Sequence, residues 1–226
     1  MTYIQPPALE LLTRPFFIVT EGIGDARFVD ELLKFRHITN CSVGCPSRQS
    51  AKDRTGKDAF PDYFASIQIA RGRLNSTRLL GLLVIADANA SAEKAFKAIT
   101  TALESAEFPT PKDPFRIEEA GLRVAVYLLP GEGKTGTLEH LLLEAVFTKT
   151  GALADCLDKF STCTGALRSS KPNQLAKMRM SVLAAAFCED NPWCSANTMW
   201  SDDNNPVPID SACFNDICDF LTGFAG

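Results

Sequence analysis

The sequence predicts an α/β fold in which a parallel sheet lies between helices and is followed by a helical C-terminal cap. Three runs are apolar at nearly every position: FFIVT at 16–20, LLGLLVIADA at 79–88 and LRVAVYLL at 122–129. Stretches with helical spacing of apolar residues separate them. Strands that are apolar on both faces are typical of parallel sheets covered by helices on both sides.

The remaining elements follow in chain order. The segment 25–35 predicts a helix, HITNCSV at 37–43 a second strand, and AFPDYFASIQIA at 59–70 another helix. Residues 91–106 predict an amphipathic helix capped by Ser91, with Ala95, Ile99 and Leu103 on its apolar stripe. The proline-containing segment 110–121 is interpreted as a connection, and a helix is expected to begin near Gly136.

The character of the chain changes after about Gly151, where strand patterns stop. Helical patterns occur at 152–160, 173–187 and 212–224, with a loop rich in Asn, Asp and Pro before the last of them. We therefore divide the chain into an α/β core at residues 1–150 and a helical C-terminal extension at 151–226 that packs on the core.

Composition limits the classes of function. The chain has 226 residues, of which 46% are hydrophobic, and its net charge is −4, so we expect a sizeable core and no general affinity for polyanions. We see no targeting signal and no apolar run of membrane-spanning length, which predicts a soluble, cytoplasmic protein without a membrane partner. Eight cysteines lack the paired spacing of structural zinc sites, which favours ordinary thiols.

Acidic residues follow two of the predicted strands. Glu21 comes directly after the first strand, Asp25 lies four residues later, and Asp87 and Asn89 come at the end of the third. Because the carboxyl ends of parallel strands meet at one edge, these side chains are expected to lie together. Clustered carboxylates need a cation, a shared proton or solvent, and a hard divalent cation such as Mg²⁺ suits oxygen ligands.

The residues Glu21-Gly22-x-x-Asp25, followed later by a strand that ends in Asp87, resemble the Toprim domain of topoisomerases, primases and overcoming-lysogenization-defect nucleases. The chain also resembles small stand-alone bacterial and phage Toprim-like proteins in its strand ending at Pro130 and in Gly136-x-Leu138-Glu139. The resemblance covers about residues 14–150. It implies a Toprim-like parallel sheet that binds Mg²⁺ or Mn²⁺ and acts on or binds nucleic acid.

The resemblance also implies the roles of individual residues. Glu21 would be a metal ligand or general base, Asp25 and Asp87 would hold the ion, and Glu139 would lie beside it. One residue departs from the family pattern, because Asn89 stands where the family has a second Asp. An amide ligates without charge, so a degenerate, non-catalytic site in a regulatory or binding module is the alternative function.

The stretch LLPGEGKTGTLEH at 128–140 contains part of a phosphate-binding motif. A Walker A loop needs a glycine five positions before Gly133, but Leu128 stands there, which argues against a nucleotide-binding loop. A plain connecting turn is one interpretation. The other is a functional turn in which Lys134 contacts a substrate phosphate during catalysis. A nucleotide-binding switch is kept as a third hypothesis.

Two further groups of basic residues are candidates for a nucleic-acid surface: Arg48, Lys52, Arg54 and Lys57, and then Arg71, Arg73 and Arg78. Solvated loops are the simpler interpretation. With two histidines and no G-x-S-x-G motif, the sequence does not favour a hydrolase with a serine nucleophile. It gives no oligomeric state.

Overall fold

A computed structural model describes residues 14–46, 56–73, 79–188, 194, 198–201 and 204–226. The predicted α/β class is confirmed. Five strands form one sheet: β1 Phe16–Thr20, β2 Cys41–Gly44, β3 Gly81–Asp87, β4 Ile117–Ala120 and β5 Leu122–Leu129. The helices are α1 Ile23–Phe35, α2 Phe60–Arg73, α3 Ala92–Ser105, α4 Leu138–Lys149, α5 Ala152–Cys163, α6 Ala166–Ser169, α7 Pro172–Phe187 and α8 Asn215–Ala225.

The strand order is β2-β1-β3-β5-β4, and every neighbouring pair is parallel except β4 with β5. β4 corrects the interpretation of residues 110–121 as a simple connection. It pairs with β5 through a hairpin at Gly121, whose φ of 82° favours glycine. A four-residue edge strand forms through backbone hydrogen bonds to a single neighbour. Its sequence therefore does not need the apolar pattern by which strands are predicted.

Successive residues of the strands point to opposite faces of the sheet. Phe16 and Ile18 pack in one apolar cluster with α1, α4, α7 and α8, whereas Phe17 and Val19 pack in a second with α2 and α3. Met180 and Leu221, from the C-terminal helices, belong to the first cluster. These helices therefore cover one face of the sheet.

Local predictions for α3 are confirmed. The Ser91 side chain accepts a hydrogen bond from the Lys94 N–H at 3.2 Å, and the stripe of Ala95, Ile99 and Leu103 is buried. None of the described helices has the length and apolar character needed to cross a membrane. All eight cysteines are free.

The topology of the sheet places a crevice between β1 and β3. The helix that follows β1 leads outward to β2, whereas the helix that follows β3 leads the other way, toward β5 and β4. The two connections therefore diverge at the carboxyl ends of β1 and β3. Ligands of open α/β sheets bind at such a switch point, and Glu21 and Asp87 occupy this one.

Candidate functional site

Four carboxylates face one another at the switch point. We call Glu21, Asp25, Asp87 and Glu139 the acidic cluster. They come from the end of β1, the first turn of α1, the end of β3 and the first turn of α4. Burial raises the pKa of Asp87 most, and the charges of the other three, which lie near it, raise it further. Four of the sequence-predicted residues are thus brought together.

Glu21 is held by two groups from other elements. Its Oε1 accepts the backbone N–H of Asp87 at 2.9 Å and lies 3.1 Å from the Lys57 ammonium. Burial is the largest effect on this carboxyl and raises its pKa, while the charge and hydrogen bond of Lys57 act in the opposite direction. Glu21 therefore bridges the ends of β1 and β3.

Asp87 connects β3 to the beginning of α4. Its Oδ1 accepts the backbone N–H of Leu138 at 2.9 Å, at the first residue of that helix. The helix N-terminus favours negative charge, yet burial and the neighbouring carboxylates raise the pKa of Asp87 to about 8. Without a cation, this carboxyl holds its proton at neutral pH.

The pKa of Asp25 is also raised, and for the same kinds of reason. Burial, followed by the charges of Glu21 and Glu139, raises its pKa to about 7, and a hydrogen bond from the Gly22 backbone lowers it in part. The fourth member, Glu139, accepts a hydrogen bond from Thr137 Oγ1 at 2.7 Å. Thr137 is fully buried at the N-terminus of α4 and also lies 3.2 Å from His140 Nδ1.

Two lysines that had no assigned place in the site lie beside the acidic cluster. Lys57 comes from the turn before α2, and Lys177 is an exposed residue of α7 whose charge lowers the pKa of both Glu21 and Asp25. Neither lysine belongs to a sequence motif, because only the packing of the folded chain brings it near the acidic cluster. The other basic residues of its sequence group, Arg48, Lys52 and Arg54, fall outside the described residues, as does Arg78 of the second group.

Asn89 is engaged by backbone and side-chain partners. Its backbone forms a two-way bridge with Gly136, at 2.7 and 2.8 Å, and its side-chain oxygen accepts from Asn173 Nδ2 at 3.1 Å. Its own Nδ2 points to the Asp87 carbonyl at 3.4 Å. The side-chain oxygen of Asn89 is therefore bonded to α7.

Lys134 is directed along α4. Its ammonium lies 3.3 Å from Glu144, and both side chains are about half exposed. In the described part of the chain, no ion pair joins Lys134 to a member of the acidic cluster. The turn around it uses Gly131, Gly133 and Gly136 at positive φ, and Gly136 carries the bridge to Asn89.

The chemistry of the acidic cluster fits a hard divalent cation. When all four carboxylates are ionised, they exceed the two nearby lysine ammonium groups by two negative charges, and all the donors are oxygen atoms. Their present arrangement is not a finished coordination sphere. Among the described residues, no set of three or more His, Cys, Asp or Glu is placed to hold a metal ion. Side chains would have to turn toward a common point.

A cleft of about 650 Å³ opens between α4 and α7, beside the acidic cluster. Its lining includes His140, Phe147, Leu175 and Arg179. It is adjacent to the site on both helices, since His140 follows Glu139 and the cleft residue Pro172 precedes Asn173. A partly apolar cleft therefore lies next to the acidic cluster.

The comparison with family models decides how the chain is classified. Residues 15–217 match the model described as "Protein of unknown function (DUF3226)". The chain belongs to this family. The match covers the sheet, the acidic cluster and most of the C-terminal helices, so these parts belong to one family unit. No curated protein and no solved structure matches the chain significantly.

Proposed function

We propose that this DUF3226 protein is a Toprim-like, Mg²⁺- or Mn²⁺-dependent protein that cleaves phosphodiester bonds in nucleic acid. The observation that supports this most strongly is the acidic cluster itself. Four partly buried carboxylates are collected at the switch point of a mostly parallel sheet, and two of them carry pKa values raised to about 7 and about 8. Such a cluster lowers the stability of the folded chain because its carboxylates repel one another. A bound cation would relieve this repulsion, which suits a cation-binding site.

Glu21, Asp25, Asp87 and Glu139 would hold the ion. A bound divalent cation supplies activation of water and neutralisation of charge at phosphate oxygens. The chain's own groups set the arrangement: the N–H of Asp87 orients Glu21, and the N–H of Leu138 orients Asp87. With a cation present, Asp25 and Asp87 would be ionised.

Lys177 is the residue that we assign to substrate phosphate. It is exposed, and its charge acts on Glu21 and Asp25, so an anion approaching the acidic cluster would meet it. It lies one helical turn after Asn173, which contacts Asn89. Lys134, the earlier candidate for this role, pairs with Glu144 and is less well placed.

The second candidate function is a non-catalytic binding or regulatory module that keeps the site without the chemistry. The hydrogen bond between Asn173 and Asn89 favours it, because it engages the oxygen that would otherwise serve as a ligand. The nucleotide-switch hypothesis is less attractive. Asp87 already accepts the first N–H of α4, so a carboxylate lies where a nucleotide phosphate would bind.

The test is a cleavage assay with single-stranded DNA, double-stranded DNA and RNA, each with Mg²⁺, Mn²⁺ or a chelator. We expect metal-dependent cleavage by the wild type and a loss of roughly 100-fold or more in Glu21→Gln, which removes a charge at constant size. Lys177→Gln should raise KM more than it lowers kcat, because it acts on substrate binding.

The matched control is Glu104→Gln, the same substitution at an exposed position in the last turn of α3. It should cleave like the wild type. Cleavage by Glu21→Gln at the wild-type rate would refute the proposal. Binding of Mn²⁺ and nucleic acid without any cleavage would favour the non-catalytic module.

A further inference from the structure

Lys57 places an ammonium group inside the acidic cluster. Its Nζ lies 3.1 Å from Glu21 Oε1 and also donates to the backbone carbonyl of Asp87. It therefore joins the carboxyl ends of β1 and β3 at the switch point. The side chains of Lys57 and Glu21 are each only 17% exposed, so this ion pair is largely shielded from solvent.

We propose that Lys57 is the built-in counter-ion of the acidic cluster, and that a divalent cation displaces its ammonium from Glu21 and Asp87. This inference rests on the cation site of the proposed function and goes beyond it, because it names the group that competes with the ion. Lys57 then decides how tightly the cation binds.

The contacts of Lys57 support competition between its ammonium group and a divalent cation. The two oxygen atoms that Lys57 engages, a glutamate carboxylate oxygen and a main-chain carbonyl oxygen, are both of the type that hard cations bind. An ammonium and a divalent cation that share these oxygens would repel each other at short range. The arrangement also accounts for the lack of a finished metal site among the described residues, because Glu21 is turned toward Lys57.

The flexibility of its own side chain would allow Lys57 to leave without a large backbone rearrangement. Gly56 has a φ of 64°, and a Cβ atom there would lie 3.4 Å from Glu21 Oε2, so the main chain passes close to the carboxylate. The ammonium sits at the end of a flexible four-carbon chain. Release of the side chain toward solvent would thus require only rotations about its own bonds.

The first test measures Mn²⁺ affinity by calorimetry for the wild type, Lys57→Gln and Lys57→Arg. Coupling between two sites commonly changes affinity about 5- to 150-fold, and we expect Lys57→Gln to bind roughly tenfold more tightly. Lys57→Arg keeps the positive charge and should stay close to the wild type. Lys97→Gln, at an exposed position of α3, is the control for loss of a lysine and should also stay close to the wild type.

The second test follows Lys57 in the unmodified chain. Acetic anhydride is added with and without Mg²⁺, and acetylation of each lysine is read by peptide mass spectrometry. We expect Mg²⁺ to increase acetylation of Lys57 severalfold and to leave Lys97 unchanged. This readout does not depend on whether a variant folds.

The outcomes separate the two proposals. Tighter Mn²⁺ binding by Lys57→Gln together with Mg²⁺-dependent acetylation of Lys57 supports displacement. If the wild type binds Mn²⁺ and Lys57→Gln binds it no more tightly, with no change in acetylation, the inference is overturned while the cation site stands. If neither chain binds Mn²⁺, both the inference and the proposed cation site are lost.

Discussion

In the absence of divalent cations, the free energy of unfolding is expected to fall by roughly 2–3 kcal/mol between pH 6.5 and 8.5. The pKa of Asp25 is raised to about 7 and that of Asp87 to about 8 in the folded chain, whereas unfolding returns both to ordinary values. In this range the folded chain holds protons that the unfolded chain has already released. Stability is therefore present at the lower pH and lost as pH rises through the folded-state pKa values.

Urea unfolding at several pH values, in buffer with a chelator, measures this loss. Saturating Mg²⁺ should restore stability at pH 8.5, because a cation that binds only the folded chain stabilises it. The window begins at 6.5 because His140, whose pKa burial lowers, has the opposite dependence at lower pH. A profile without a fall from pH 6.5 to 8.5 would contradict the buried, mutually repelling carboxyls described above.

Asp87→Asn is expected to produce a more stable but functionally inactive protein. The amide oxygen can still accept the Leu138 N–H, while the charge that the site tolerates poorly is removed. At pH 8.5 without metal, the variant should exceed the wild type by a few kcal/mol, on the order of the cost of ionising a carboxyl with so raised a pKa. Its affinity for Mn²⁺ should fall by about 100-fold, and cleavage should fall with it.

Thermal unfolding with and without Mg²⁺, beside a Mn²⁺ titration, checks both halves of this prediction. Asp113→Asn, at an exposed position before β4, is the matched control and should leave stability and affinity unchanged. A loss of stability in Asp87→Asn would mean that the carboxylate supports the fold. That result would remove the reason for assigning it to a cation.

Much of the fold can be predicted from the sequence because the strands carry a strong signal. β1, β3 and β5 are buried along nearly their whole length, which requires helices on both faces. Ser91 and its helix follow from local rules alone. β4 was missed because its residues IEEA are short and half polar, and an edge strand is fixed by its partner's backbone.

The candidate site is predictable where its residues belong to strand ends. Glu21, Asp25 and Asp87 could be placed together because parallel strands end at a common edge, whereas Glu139 was added only through the resemblance of Gly136-x-Leu138-Glu139. Lys57 and Lys177 could not be placed, since their positions depend on how the turn before α2 and the helix α7 pack. Lys134 was assigned by its motif, but its ion pair with Glu144 depends on the direction of the turn.

A Mn²⁺ soak of crystals of the wild-type protein, with anomalous diffraction data, tests directly whether the acidic cluster binds a divalent cation. We expect one anomalous peak within ligand distance of carboxylate oxygens of Glu21 and Asp87, near Asp25 and Glu139, and no such peak in Asp87→Asn crystals. Absence of a peak at this place in the wild type, at a Mn²⁺ concentration well above millimolar, would contradict cation binding by the acidic cluster.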